Sequence, residues 1–146
     1  MGESEPLEAG ADLRVRESFA RQGAMATLGA ELAKVAAGRV MIRLPIEPRI
    51  AQQDGFAHAG VVVAALDSAC GYSALTLMPD DSEVLTVELK VNLLAPAAGH
   101  MLVAEGEVVR AGRTLTVCRG EGYAEQGSER VHVATMLATM VRRRVT

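Results

Sequence analysis

Leu85, Val87, Leu89, Val91 and Leu93 alternate with Thr86, Glu88, Lys90 and Asn92. That period of two places successive side chains on opposite faces of a strand and predicts one wet face. Three more strands are expected at residues 101–110, 114–124 and 130–141, separated by Pro96-Ala97-Ala98-Gly99, Ala111-Gly112 and Gln126-Gly127-Ser128. The Ala111-Gly112 pair has the length of a hairpin loop, with glycine able to supply positive φ. Upstream, Val40, Ile42, Leu44 and Ile46 alternate with Met41 and Arg43, so residues 31–46 read as two strands hinged at Ala37-Gly38 and closed by Pro45 and Pro48.

Residues 60–78 follow neither alternation. They hold no proline before Pro79 and are apolar on nearly every side. Their length favours a helix buried on most of its surface, although Val61-Val62-Val63 would also suit a strand. Residues 14–25 predict an amphipathic helix, and residues 49–59 an irregular segment with Gln52-Gln53-Asp54-Gly55 as loop chemistry. Residues 1–12 are acidic and small, the composition of a disordered tail. Residues 13–146 then form one α+β domain, an antiparallel sheet of five to six strands around one long helix.

Composition narrows the function. A length of 146 residues suits a single domain. A net charge of −3, no tryptophan and only Phe19, Phe56, Tyr72 and Tyr123 as rings argue against nucleic acid. Three scattered histidines (His58, His100, His132) and two cysteines 48 positions apart (Cys70, Cys118) make no metal site, disulfide framework or redox motif. No cofactor is called for. The acidic N-terminus is not a secretory signal, and the apolar run ending at Asp67 is too short for the roughly 20 residues of a membrane span. A soluble cytoplasmic protein with no membrane partner is expected.

Asp67 interrupts the most apolar segment, where a carboxylate must be paired, hydrogen-bonded or neutralised. Gly60, Ala64, Gly71 and Ala74 share its helix face, so that face carries almost no bulk and something is expected to approach it closely. Tight packing is one reading; a narrow substrate site beside a reactive carboxylate is the other. His58 and Ala59 stand at the predicted helix start, where unpaired N–H groups can polarise a carbonyl oxygen. A loop histidine there serves equally as a cap. Eight residues separate Ala59 from Asp67, about 12 Å of helix at roughly 1.5 Å per residue, whereas one reacting carbonyl needs both groups at about 3 Å. If both act on one substrate, they come from two antiparallel copies, which predicts a homodimer with two sites at its interface.

The run Gln52-Gln53-Asp54-Gly55-Phe56-Ala57-His58-Ala59-Gly60, with Asp67 nine residues after the histidine, resembles the hotdog-fold acyl-CoA thioesterases of the phenylacetate-degradation type. The strand running from Leu85 to Pro96 and the Arg110-Ala111-Gly112-Arg113-Thr114 hairpin match in order and spacing, and the likeness covers roughly residues 14–142. It implies a curved sheet wrapped around a central helix, paired and often paired again to a homotetramer, with an aryl- or medium-chain acyl-CoA as substrate. By the resemblance Asp67 would be nucleophile or general base. The Ala59 N–H would polarise the thioester carbonyl, Gln52 and His58 would help hold it, and Thr86 would orient the attacking water. Gly60 would belong to the substrate site. Coenzyme A would lie along Leu94, Pro96 and Ala98 and the turn of Arg110, Gly112, Arg113 and Thr114, with Lys90 or Arg142-Arg143-Arg144 also near its phosphates. The family commonly has glycine where Ala59 stands, so a positive φ there would compromise activity.

Three alternatives compete. A hotdog hydratase lacks its D-x4-H pattern here, because Asp54 and His58 are separated by three residues. Gly71-Tyr72-Ser73-Ala74-Leu75 is no nucleophile elbow. A non-catalytic acyl-CoA sensor is made credible by Ala59. Acyl selectivity is expected from Val63, Cys70 and Ala74.

Overall fold

A computed structural model describes residues 5–145. Its helices are α1 (Ala11–Arg21), α2 (Gly23–Leu28) and α3 (Ala59–Leu75). Its strands are β1 (Glu31–Ala36), β2 (Arg39–Pro45), β3 (Ser82–Leu93), β4 (Met101–Ala111), β5 (Leu115–Gln126) and β6 (Glu129–Arg144). All six strands form one antiparallel sheet in the order β1-β2-β4-β5-β6-β3, and α3 packs across it. The architecture is the hotdog fold, with its sheet curved around a central helix. No helix among the described residues is long and apolar enough to cross a membrane.

Burial follows the alternation. Ile42 and Leu44 of β2, Leu102 and Ala104 of β4, Cys118 of β5, and Met136, Ala138 and Met140 of β6 all lie in the core with Leu66, Ala69 and Cys70 of α3. Close approach is made possible by strand glycines and not, as the small residues on the Asp67 face suggest, by the helix. A β-carbon on Gly106 would stand 2.3 Å from the Ala69 carbonyl oxygen, and one on Gly120 3.0 Å from the Cys70 sulfur. At Gly71 the nearest atom would be an ordinary 3.8 Å away. Gly60 is exposed, and Ala64 and Asp67 are half-buried, so the first half of the stripped face is uncovered in the single chain.

Several element boundaries differ from the sequence pattern. The expected tail gives way at Ala11, which is buried as the first residue of α1; residues 1–4 lie outside the described residues. The single helix expected over 14–25 is broken at Gln22, whose extended backbone (φ −80°, ψ 98°) ends α1 and caps α2. The long helix stops at Leu75, short of residue 78. There Arg14 donates from Nη2 to the carbonyls of Leu75 (2.8 Å) and Met78 (2.9 Å) and from Nη1 to Asp80. A cation satisfying the last carbonyls is the favoured charge at a helix C-terminus. The turn after β4 closes with the Gly112 N–H on the Leu115 carbonyl, and Gly112 does not have positive φ. Glycine is required there because a β-carbon would lie 2.5 Å from the Leu115 oxygen.

The strand β3 carries the most consequential irregularity. Thr86 pairs with Met140 and Glu88 with Thr139, leaving Val87 as the extra residue of a bulge. Directly opposed residues share a face. Val84 and Thr86 therefore face the helix before the bulge, and Leu89, Val91 and Leu93 after it. An unbroken alternation puts Thr86 and Leu89 on opposite faces; one inserted residue brings both inward.

Candidate active site

Most of the residues singled out from the sequence fall in three hollows of the single chain, whereas His58, Gly60 and Arg110 line none of them. The first, about 350 Å³, lies among α1, α3 and β3 and holds Asp67 and Thr86. The Thr86 hydroxyl donates to Asp67 Oδ1 at 2.6 Å. That bond orients the carboxylate at the wall of the hollow. The pair is open to solvent on the uncovered face, so Asp67 is neither buried among apolar groups nor bonded to backbone.

The second hollow, about 540 Å³, is lined by Gln52, Phe56, Ala59, Leu94 and Pro96 among others. Its geometry is set by the loop before α3. Gln52 and Phe56 close a turn through the Gln52 N–H (2.8 Å), Ala57 donates to Ala97 (3.0 Å), and His58 donates to Ile50 (3.0 Å). The Gln52 side-chain oxygen accepts from the Asp54 and Phe56 amides, which leaves its NH2 as a free donor. His58 is the N-cap: its Nδ1 accepts from the Gly60 N–H at 2.8 Å. In the neutral ring the proton then sits on Nε2. With the Gly60 N–H occupied, the Ala59 N–H is the first helix amide without an acceptor among the described residues. No non-glycine residue among the described residues has positive φ, so Ala59 sits in α3 without strain. The backbone strain that would have favoured a non-catalytic sensor is absent at Ala59.

Gly112, Arg113 and Thr114 line a third, smaller hollow with Leu77, Pro79 and Arg142. Arg142, Arg143 and Arg144 are held in ion pairs with Asp81 and Glu83, whereas Arg110 and Arg113 have no carboxylate partner among the described residues. One chain thus brings Gln52, Ala59, Leu94 and Pro96 together, and Asp67 with Thr86. It does not join these two groups, nor either of them to Gly112 and Arg113.

The thioesterase superfamily model matches residues 54–131, which include the helix N-terminus, Asp67, Thr86 and the 110–114 turn. The chain belongs to the thioesterase superfamily. A crystal structure of a thioesterase family protein from Silicibacter pomeroyi superposes with a TM-score of 0.91 at 48% identity, over 92% of this chain and 99% of that one. The PaaI protein of the Escherichia coli phenylacetic acid degradation operon superposes at 0.83 with 17% identity, over 96% and 99%, a likeness of fold. The 1,4-dihydroxy-2-naphthoyl-CoA hydrolase of Listeria monocytogenes is 26% identical over 95 residues, 65% of this chain and 77% of that one. A further relative, from Saccharolobus solfataricus, matches at 34% identity, and the chain spans only 56% of its length.

Within this superfamily member, sequence reasoning missed the polar groups beside Asp67. Ser18, Gln22, Ser68 and Tyr72 line the first hollow, whereas Cys70 and Ala74, expected to shape it, face the core at 0% exposure. Ser68 and Tyr72 were legible as polar interruptions of an apolar helix. Gln22 had no such signal. Burial pushes the Cys70 thiol far up, so it is no nucleophile.

Proposed function

We propose that the protein hydrolyses acyl-CoA thioesters at two equivalent sites, each built from two copies of the chain. The observation that carries this reading is the division of the site. An oriented carboxylate lies in one hollow, and the carbonyl-polarising donors lie in another about 12 Å along the helix. Antiparallel pairing of the uncovered α3 faces sets Asp67 of one copy opposite Ala59 and Gln52 of the other. The Ala59 N–H and the Gln52 amide polarise the thioester carbonyl, Asp67 directs water at its carbon, the C–S bond breaks, and the thiolate takes up a proton. Water is the only co-reactant, and no cofactor enters. Leu94 and Pro96 lie beside the donors as a floor for the pantetheine arm, and Arg110 and Arg113, without a carboxylate partner among the described residues, are cations for its phosphates. An assembly of two pairs is compatible with the exposed outer sheet face. The aryl- and CoA-directed names of the relatives support CoA thioesters as the substrate class.

Release of CoA thiol from a panel of aryl- and alkanoyl-CoA substrates tests the reading. Asp67→Ala should lose at least about a hundredfold in kcat/KM, the scale of a general base, and Gln52→Ala a comparable factor as a lost carbonyl donor. Mixing the two inactive variants and allowing chains to exchange should restore activity, because a mixed dimer has one intact site and one doubly altered site. Random exchange gives about a quarter of the native sites. Equal rates for native protein and Asp67→Ala, or no recovery on mixing, would overturn it.

A further inference from the structure

Thr86 offers one proton to two acceptors. Its hydroxyl lies 2.6 Å from Asp67 Oδ1 on α3 and 3.4 Å from Met140 Sδ on β6, and these are its side-chain hydrogen-bond contacts among the described residues. A hydroxyl carries a single donor and a thioether is a weak acceptor, so the proton belongs to the carboxylate while Asp67 is ionised. In that state the sulfur accepts nothing.

The placement of the sulfur is built into the sheet. Thr86 and Met140 are directly opposed partners in the pairing of β3 with β6, just before the bulge at Val87. Met140 has 0% exposure, yet it lines the hollow that holds Asp67 and Thr86. Packing alone asks only for an apolar side chain here, and leucine would fill the same volume. Among Leu75, Val84 and Met140, the aliphatic side chains of that wall, only the methionine has an atom able to accept a proton.

Hydrolysis changes which acceptor is the better one. As the water oxygen bonds to the thioester carbon, Asp67 takes the water's proton, and it returns that proton to the departing thiolate when the C–S bond breaks. Between the two transfers the carboxyl is neutral. A charge-assisted hydrogen bond is roughly twice as strong as a neutral one, so Thr86 then loses much of what held its proton. Where the new carboxyl proton lies on Oδ1, Thr86 accepts from it instead. Rotation of the O–H about the Cβ–Oγ1 bond brings the hydroxyl proton to Met140 and moves no heavier atom. Without a second acceptor that proton would have no partner, a costly state away from water.

We propose that Met140 is a positioning residue for this hydrolysis, its sulfur holding the Thr86 hydroxyl proton while Asp67 carries the proton taken from water. Met140 acts through Thr86 and not on the thioester. The inference rests on the proposed hydrolysis with Asp67 as the base.

A double-mutant cycle read in kcat tests it. Met140→Leu removes the sulfur and conserves volume, a change that cores tolerate well. It should lower kcat by about threefold to tenfold, the scale of one neutral hydrogen bond, with KM little changed. In a Thr86→Val background the same substitution should leave kcat unmoved, because the hydroxyl it serves is gone. Met140→Ile, a second side chain without sulfur, should repeat both results. Rates are taken per binding site, counted with an uncleavable thioether analogue of the substrate, so loss of folded protein does not enter. An equal loss in both backgrounds would make Met140 a packing residue only, and an unchanged kcat in Met140→Leu would dismiss its sulfur; either result overturns the proposal and leaves the hydrolase reading standing. Absence of thiol release from the native protein across the CoA panel overturns the hydrolase reading, and the part given to Met140 with it.

Discussion

Thr86 makes a single short bond to Asp67, and the consequence of losing it is bounded by what such a bond contributes. A hydrogen bond to a charged acceptor is worth about 1.5–3 kcal/mol. Thr86→Val should therefore lower kcat by about ten- to a hundredfold, with KM little changed, and Thr86→Ser should recover most of it. Stopped-flow or steady-state thiol release checks both; an unaffected kcat in the valine variant would remove Thr86 from the proposed chemistry. At this scale the sequence was readable where a residue contradicted its surroundings. Asp67 and Ala59 were visible because a charge inside an apolar run and free amides at a helix start stand out against the residues around them. Gln22 was not, since a glutamine is unremarkable in a helical pattern, and its role depends on a backbone break that only packing against α3 specifies.

The elements were legible from their periodicity, because β2 and β5 keep one face on the core throughout, and β1, β4 and β6 each shift register only once. The third strand was misread in one respect: its alternation is regular in sequence, but the bulge at Val87 resets the phase, and nothing local distinguishes a bulged strand from a straight one. Contacts between elements carry their own prediction. Gly106 in β4 lies under the backbone of α3, where neither partner can yield, so Gly106→Ala should cost about 1–3 kcal/mol or more and lower Tm by roughly 5–10 °C. Gly71→Ala, with 3.8 Å to its nearest neighbour and a helical backbone, should change Tm little or raise it. Thermal unfolding of both proteins decides; equal losses would mean that the approach of sheet to helix is not limited at Gly106.

For the whole molecule the open edge of β3 is decisive. Leu85, Val87 and Leu93 are more than half exposed along a free 12-residue edge, an arrangement that invites pairing with another chain. With one chain at 15.4 kDa, light scattering at micromolar protein should give a mass of at least two. Val87→Lys, which places a charge on that edge, should shift the mass towards one and reduce thiol release in parallel. Full activity in a monomeric variant would contradict the shared site.

The spacing of the two half-sites along α3 also governs the rate law. On the proposed shared site, the carboxylate and the carbonyl donors of one chain are too far apart to act on one thioester, so a separated chain would be idle. Activity per chain should hold constant at high concentration and fall on dilution as pairs part by mass action, recovering when the sample is concentrated again. In a cell, the amount of working catalyst would then rise faster than the amount of protein made, so low expression would leave the hydrolysis nearly silent.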